Sequence, residues 1–174
     1  MIRLFPILAL VACALPAFAG QLDVAVLQFS GPVDRDALAA SLSGVQLAEV
    51  ADANKIRSKD PILQSAGILF AQSIPAVRGQ KFASITRMGP AKADVRGSLG
   101  GGALDVEITL SEGAQTGISS FQRRNYRGSG SLPSGPASII AIRESKGKSP
   151  YVVRSASTVQ HYSYSLVVVA QYTP

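Results

Sequence analysis

The clearest pattern in this chain lies at residues 104–110, where Leu104, Val106, Ile108 and Leu110 alternate with Asp105, Glu107 and Thr109. A period of two turns one set toward a core and the other toward water, which predicts a half-buried strand. The preceding run Gly100-Gly101-Gly102 lets the chain reverse, so this strand should pair with residues 93–98 as a hairpin. Residues 68–77, 80–87, 118–126, 137–143 and 162–172 predict further strands. Gly79 marks a turn between the first two of these. Pro75 cannot donate to a ladder and should sit at an edge or a bend. The Gly/Ser/Pro stretch at 128–136 and the basic loop around Lys146-Gly147-Lys148 part the last three.

Ahead of Pro61 the pattern differs. Residues 21–29 are rich in Val and Leu and predict a first strand, ended by Ser30-Gly31-Pro32. Asp34 or Asp36 can cap a short helix through Leu42, with Leu38 and Leu42 on one face and Gly44 placed to stop it. Residues 45–50 predict a second strand, so residues 20–51 read as a β-α-β unit. Residues 52–61 are polar, with Lys55, Arg57 and Lys59 at alternate positions, and predict a loop or an exposed edge. The sum is a mostly β protein of the α+β class with a short N-terminal β-α-β unit. Its antiparallel strands, at 62–174, should form a sandwich or a partial barrel.

The first 19 residues stand apart. One cation, Arg3, is followed by an apolar run to Phe18 and by Ala17-Phe18-Ala19 before Gly20, the three-part grammar of a secretory signal peptide. The run is short of the ~20 residues a membrane-spanning helix needs, and Pro6 and Pro16 interrupt it. Leu10-Val11-Ala12-Cys13 also resembles a lipoprotein acylation signal, but the stretch after Cys13 stays apolar where a polar tether is usual. Cleavage after Ala19 is therefore expected, leaving residues 20–174 as a single mature domain in the periplasm, at the outer membrane or outside the cell. Cys13 is the only cysteine, so that mature chain has no thiol, and its stability must come from core and sheet. The chain carries 17 Lys and Arg against 11 Asp and Glu, formally +6, and Arg3 leaves with the leader. Such an excess favours solubility and attraction to anionic surfaces without naming a partner.

Reactive constellations are hard to assemble from these residues. His161 is the only histidine, so neither a histidine metal cluster nor a histidine dyad can form. Asp105 and Glu107 share one strand face, as paired carboxylates would, yet that face is the wet half of the alternation. The glycine run at 98–102 lacks the following helix and Gly-Lys-Ser/Thr of a phosphate cradle. No serine sits in a Gly-x-Ser-x-Gly elbow. The expectation is a protein with no catalytic residue, no cofactor and no metal. Arg123, Arg124 and Arg127 surround Tyr126, a grouping that could stack on a base and neutralise phosphate. A solvated strand or a subunit contact is the plainer reading of a single such cluster, an anionic lipid or wall polymer comes next, and nucleic acid last.

The order of segments from 36 to 174 resembles the C-terminal core of secretins, the ring-forming outer-membrane channels of type II and type III secretion and of type IV pili. Pro61-Ile62-Leu63 and Gly79-Gln80-Lys81-Phe82-Ala83-Ser84-Ile85 are similar to a proline-led stretch, turn and strand in that family. The alternating hairpin at 93–110 follows in the same order. Leu132-Pro133-Ser134-Gly135 running into Ile139-Ile140-Ala141-Ile142 is similar to a turn and strand after it, and Ser165-Leu166-Val167-Val168-Val169-Ala170-Gln171-Tyr172-Thr173-Pro174 to the closing strand. Secretins usually carry a Gly-Gly-Leu and a gate segment where Ala141-Ile142-Arg143 here leads to a short basic loop, so the resemblance is to a reduced form. It implies function by assembly, as a homo-oligomer or with envelope secretion or pilus components, in association with the outer membrane. Leu166, Val167, Val168 and Val169 are then the candidates for edge-strand pairing, and Arg123, Arg124, Tyr126 and Arg127 for an interface or anionic contact. The rival reading is a monomeric periplasmic or secreted β-sandwich that binds a partner through its loops.

Overall fold

A computed structural model of the chain describes residues 20–53, 56–88, 91–112, 122–147 and 162–174. The expected leader with Cys13, and His161, lie outside these. The described elements run β1 (Gly20–Ser30), α1 (Arg35–Leu42), α2 (Leu47–Ala53), α3 (Pro61–Gln64), β2 (Gly67–Ala76), β3 (Gln80–Met88), β4 (Ala91–Leu99), β5 (Ala103–Glu112), β6 (Gln122–Ser131), β7 (Ser138–Gly147) and β8 (Tyr162–Thr173). They form two four-stranded sheets, ordered β2-β1-β8-β7 and β3-β4-β5-β6, in which every neighbouring pair is antiparallel. The protein is thus mostly β, with three short helices and no closed barrel among the described strands.

Hydrophobic periodicity explains the layering. Leu104, Val106 and Ile108 on β5 turn inward with Ala93, Val95 and Leu99 on β4, and meet Leu22, Val24 and Val26 on β1 and Val168, Ala170 and Tyr172 on β8. This first core lies between the sheets. A second core covers the other face of β1 and β8, where Ala25, Leu27, Phe29, Val167 and Val169 pack under Leu38, Leu42, Leu47, Val50 and Leu63 of the three helices. β1 and the apolar run of β8 therefore have both faces covered, which is why they read as nearly unbroken apolar stretches and not as alternations.

Local signals set the helices. Asp34 caps α1 by accepting from the amides of Asp36 and Ala37, both at 2.9 Å. Asp60 caps α3, with Pro61 in the first turn, and its other oxygen accepts from the Ser41 hydroxyl at 2.9 Å, tying α3 to α1. The strand expected at 45–50 is a helix instead. Ala48, Glu49, Ala51 and Ala53 are strong helix formers, Leu47 and Val50 three apart enter the second core together, and the Leu47 amide is capped by Gln171 Oε1 at 2.7 Å from β8. The return strand of the N-terminal unit is consequently β2, which follows three helices and pairs antiparallel with β1. Residues 128–131, assigned to a loop by composition, continue β6.

Glycines in β6 seal one flank. A Cβ on Gly128 would stand 2.9 Å from Ala141 Cβ, and one on Gly130 3.2 Å from the Ile140 carbonyl, so β6 lies almost directly on β7. There β7 has a register shift between Ile139 and Ala141, with Ile139 in the helix-side core and Ile140 in the inter-sheet core. The opposite flank, between β2 and β3, is tied more lightly. Its links are the turn at Gly79 (φ +84°) and a 2.7 Å bond from Gln72 Nε2 to Ser84 Oγ. Pro75 lies on β2, an outer strand of its sheet, as its missing donor requires.

Arg78 closes one end of the sandwich. Its guanidinium donates to the Gly100 carbonyl (3.3 Å), the Leu132 carbonyl (3.2 Å) and Ser134 Oγ (3.0 Å), and stacks 4.6 Å from the centre of the Tyr172 ring. One side chain thus joins three inter-strand connections to the end of β8. Arg78→Ala is expected to cost about 2–3 kcal/mol in urea unfolding. Arg78→Lys, which keeps the charge but loses the planar fork, should recover less than half of this.

Candidate functional site

Strand alternation divides the cluster read around Tyr126. Arg124 and Tyr126 stand on the core side of β6, and Tyr126 is only 7% exposed within the inter-sheet core, so its ring is not available for stacking on a base. Arg127 stands on the outer side, where Nη2 donates to Glu107 Oε2 at 2.9 Å. Arg123 pairs with Ser111 in the ladder, and its side chain lies outside the described residues. Residues adjacent in sequence on a strand point to opposite faces, and this is what breaks the cluster.

Beside Arg127, Arg96 grips Asp94 with two bonds of 2.8 Å. The side-chain hydrogen bond that Asp94 accepts from Arg96, then the carboxylate's charge, raises the Arg96 guanidinium above its ordinary pKa, and Glu107 acts on Arg127 in the same way. Both arginines are largely exposed, and such pairs contribute little to stability. Together with Gly97 and Asp105 they line an open depression on the outer face of β4-β5-β6. Its charges are already matched, and Asp105 and Glu107 sit in the wet half of the alternation, as their pattern predicts. Among the described residues no group of three or more acidic, histidine or cysteine side chains could hold a metal.

The pairing segment expected at Leu166, Val167, Val168 and Val169 is corrected by the topology. β8 lies inside its sheet, with Val168 opposite Val26 on one side and Ala141 on the other. Its ladder groups face partners within the chain, leaving no row to offer a second copy. The outer strands are β2, β7, β3 and β6, and three of these are blunted in ways that discourage further pairing. Pro75 interrupts β2; β7 carries the register shift at Ile140 and then Arg143 and Glu144; Arg124 and Arg127 load β6.

β3 differs. Its register with β4 is unbroken from Gln80↔Leu99 to Met88↔Ala91, and residues 82–86, Phe-Ala-Ser-Ile-Thr, carry no charge. Lys81, Ala83, Ile85 and Arg87 alternate as exposed positions with the half-buried Phe82, Ser84 and Thr86. Ile85 is 58% exposed, the one large apolar side chain so open among the described residues. Arg87 stands opposite Lys92, a like-charge cross-strand pair. The alternation of Lys81, Ile85 and Arg87 is readable in the sequence but does not mark them as an edge, because edge position is a property of the sheet order.

What the geometry defines is an antiparallel two-sheet sandwich with a helical layer on one face, offering strand edges and no assembled reactive centre among the described residues. No protein-family model and no curated protein matches the chain. Among solved structures it is similar to a chain of the Klebsiella pneumoniae type II secretion system outer membrane complex of PulD, PulS and the PulC HR domain, at 12% identity and a TM-score of 0.36, over 89% of this chain and 38% of that one. It is also similar to the type II secretion system secretin GspD of E. coli K12, at 13% identity and 0.32, over 89% and 47%. The third is the InvG secretin domain β-barrel of the Salmonella SPI-1 injectisome, at 10% and 0.28, over 88% and 62%. The chain thus spans between about a third and two thirds of the length of these neighbours, and the likeness is a weak one at the level of the fold.

Proposed function

We propose that this is an exported, non-enzymatic envelope protein that acts by association, a reduced secretin-like β-domain working beside secretion or pilus-type machinery. The single observation that supports association is the open sandwich: two sheets that do not close on each other leave outer strands with unpaired backbone donors and acceptors, and one of them, β3, is regular and uncharged at its centre. Export rests on the leader-like grammar of residues 1–19. The secretion setting rests on the resemblance in segment order over 36–174, and the low structural scores add no weight to it.

Size-exclusion chromatography with light scattering on the mature chain, with and without detergent, tests this reading. A species several times the monomer mass, or a complex with an envelope secretion component, is the expected result. A monomer in both conditions that joins no such component would remove it. The interior position of β8 favours a second reading within the same class, a monomeric periplasmic or secreted sandwich that recruits a partner without forming a ring. A raised mass of the purified chain favours ring assembly, and a monomer that joins a partner favours this second reading.

A further inference from the structure

We propose that the β3 edge is a strand-addition site for an extended peptide segment of a protein partner, one bearing carboxylates six residues apart with apolar side chains between them. This inference rests on the association reading above and names the place and the occupant. β3 pairs with β4 alone, in continuous register, so the backbone groups along its other side can continue that four-stranded sheet into a fifth strand. Its outer face presents Lys81, Ala83, Ile85 and Arg87 in a row, a cation at each end and an exposed isoleucine near the middle. An antiparallel strand laid alongside places its residues directly opposite these four.

Charge decides the occupant. A second copy of β3 paired antiparallel about Ser84 would set Lys81 against Arg87 at both ends, and a parallel in-register pair would set each cation against itself; both juxtapositions are unfavourable. Arg87 already faces Lys92 across the β3-β4 ladder, and among the described residues neither of them, nor Lys81, has an ion-pair partner. A carboxylate opposite Arg87 would answer two cations at once, and one opposite Lys81 the third. Between them, apolar residues opposite Ala83 and Ile85 would cover the exposed isoleucine. The same cations discourage indiscriminate pairing, so this edge selects its guest by charge while leaving its backbone open.

The test uses the mature chain and two fluorescein-labelled nine-residue peptides with valine at positions four and six and threonine elsewhere. One carries glutamate at positions two and eight, the other lysine. Fluorescence anisotropy is expected to show the glutamate peptide binding at least about tenfold more tightly. The double variant Lys81→Glu/Arg87→Glu should invert that preference, and Ile85→Lys should weaken the glutamate peptide's binding severalfold; all three substituted positions are exposed, and circular dichroism verifies folding. Equal binding of the two peptides, a preference untouched by the charge swap, or no binding by the folded protein would overturn the proposal. So would protection of the β3 amides from hydrogen exchange that rises with protein concentration alone, since a second copy would then be the occupant. Chromatography of the same variants separates the failures: if the wild-type chain and the charge-swapped variant associate alike while neither peptide discriminates, only the β3 assignment falls. If the chain is monomeric, joins no envelope component and binds no strand at all, the association reading falls with it.

Discussion

Val168→Pro is expected to abolish the fold, and not merely to alter association. Val168 sits in the middle of β8 with a neighbour on each side, Val26 of β1 and Ala141 of β7. Proline removes the backbone donor and fixes φ, and within sheets it is tolerated at outer strands or bulges, where Pro75 of β2 is found. The side chain at 168 is also 4% exposed, in the core between the sheets. The loss should exceed about 3 kcal/mol, enough to remove much of the stability of an ordinary domain. Far-UV circular dichroism and urea titration check this. A cooperative transition at the wild-type midpoint would show that β8 is not paired on both sides.

Gly97→Ala should destabilise strongly, against the usual sign for replacing a strand glycine. Gly-to-Ala changes at permissive positions stabilise by roughly 0.4–1 kcal/mol through the unfolded chain. At Gly97, however, a Cβ would overlap the Asp105 carbonyl oxygen on the paired strand and lie 2.8 Å from Phe82 Cζ. The ring can turn aside, but the carbonyl belongs to the β4-β5 backbone and can move only by distorting the ladder. A loss of about 2–4 kcal/mol is expected in denaturant midpoints. Gly44→Ala is the control, since nothing lies within 4 Å of its added Cβ and the residue is exposed. That variant should be neutral or slightly more stable, and a comparable loss at both positions would refute the steric account.

Much of the architecture is legible residue by residue. The alternation at 104–110, the glycine turn before it, the Asp34 cap and the Pro75 position all become what local chemistry predicts, because each depends on neighbours close in sequence or on a strict period. The misread segment 45–50 shows the limit. Val45 and Leu47 offer the start of an alternation, while the helix-forming alanines and glutamate, the spacing of Leu47 and Val50, and the cap from Gln171, 124 residues away, decide for helix. The unalternating valine run at 167–169 signals a strand covered on both faces, but not whether its ladder edges are paired, as β7 shows: it is an outer strand with Ile139 and Ile140 in opposite cores.

The candidate site was less legible for a related reason. Sequence adjacency grouped Arg123, Arg124, Tyr126 and Arg127, whereas a strand sends neighbours to opposite faces, so Tyr126 joined the core and Arg127 joined Glu107. Edge status belongs to no single strand. It follows from which of the described strands pair and in what order, and that order is settled by burial of both cores at once.

By itself the sequence determined the strand-rich class, the glycine turns and the Asp34 helix cap, because periodicity, glycine conformation and short-range hydrogen bonding act over a few residues. Only the tertiary structure decided which strands flank β8, that Gln171 caps α2, that Arg78 joins three connections and that β3 is left open. The physical reason is that these depend on contacts between segments tens to more than a hundred residues apart, which no local pattern encodes.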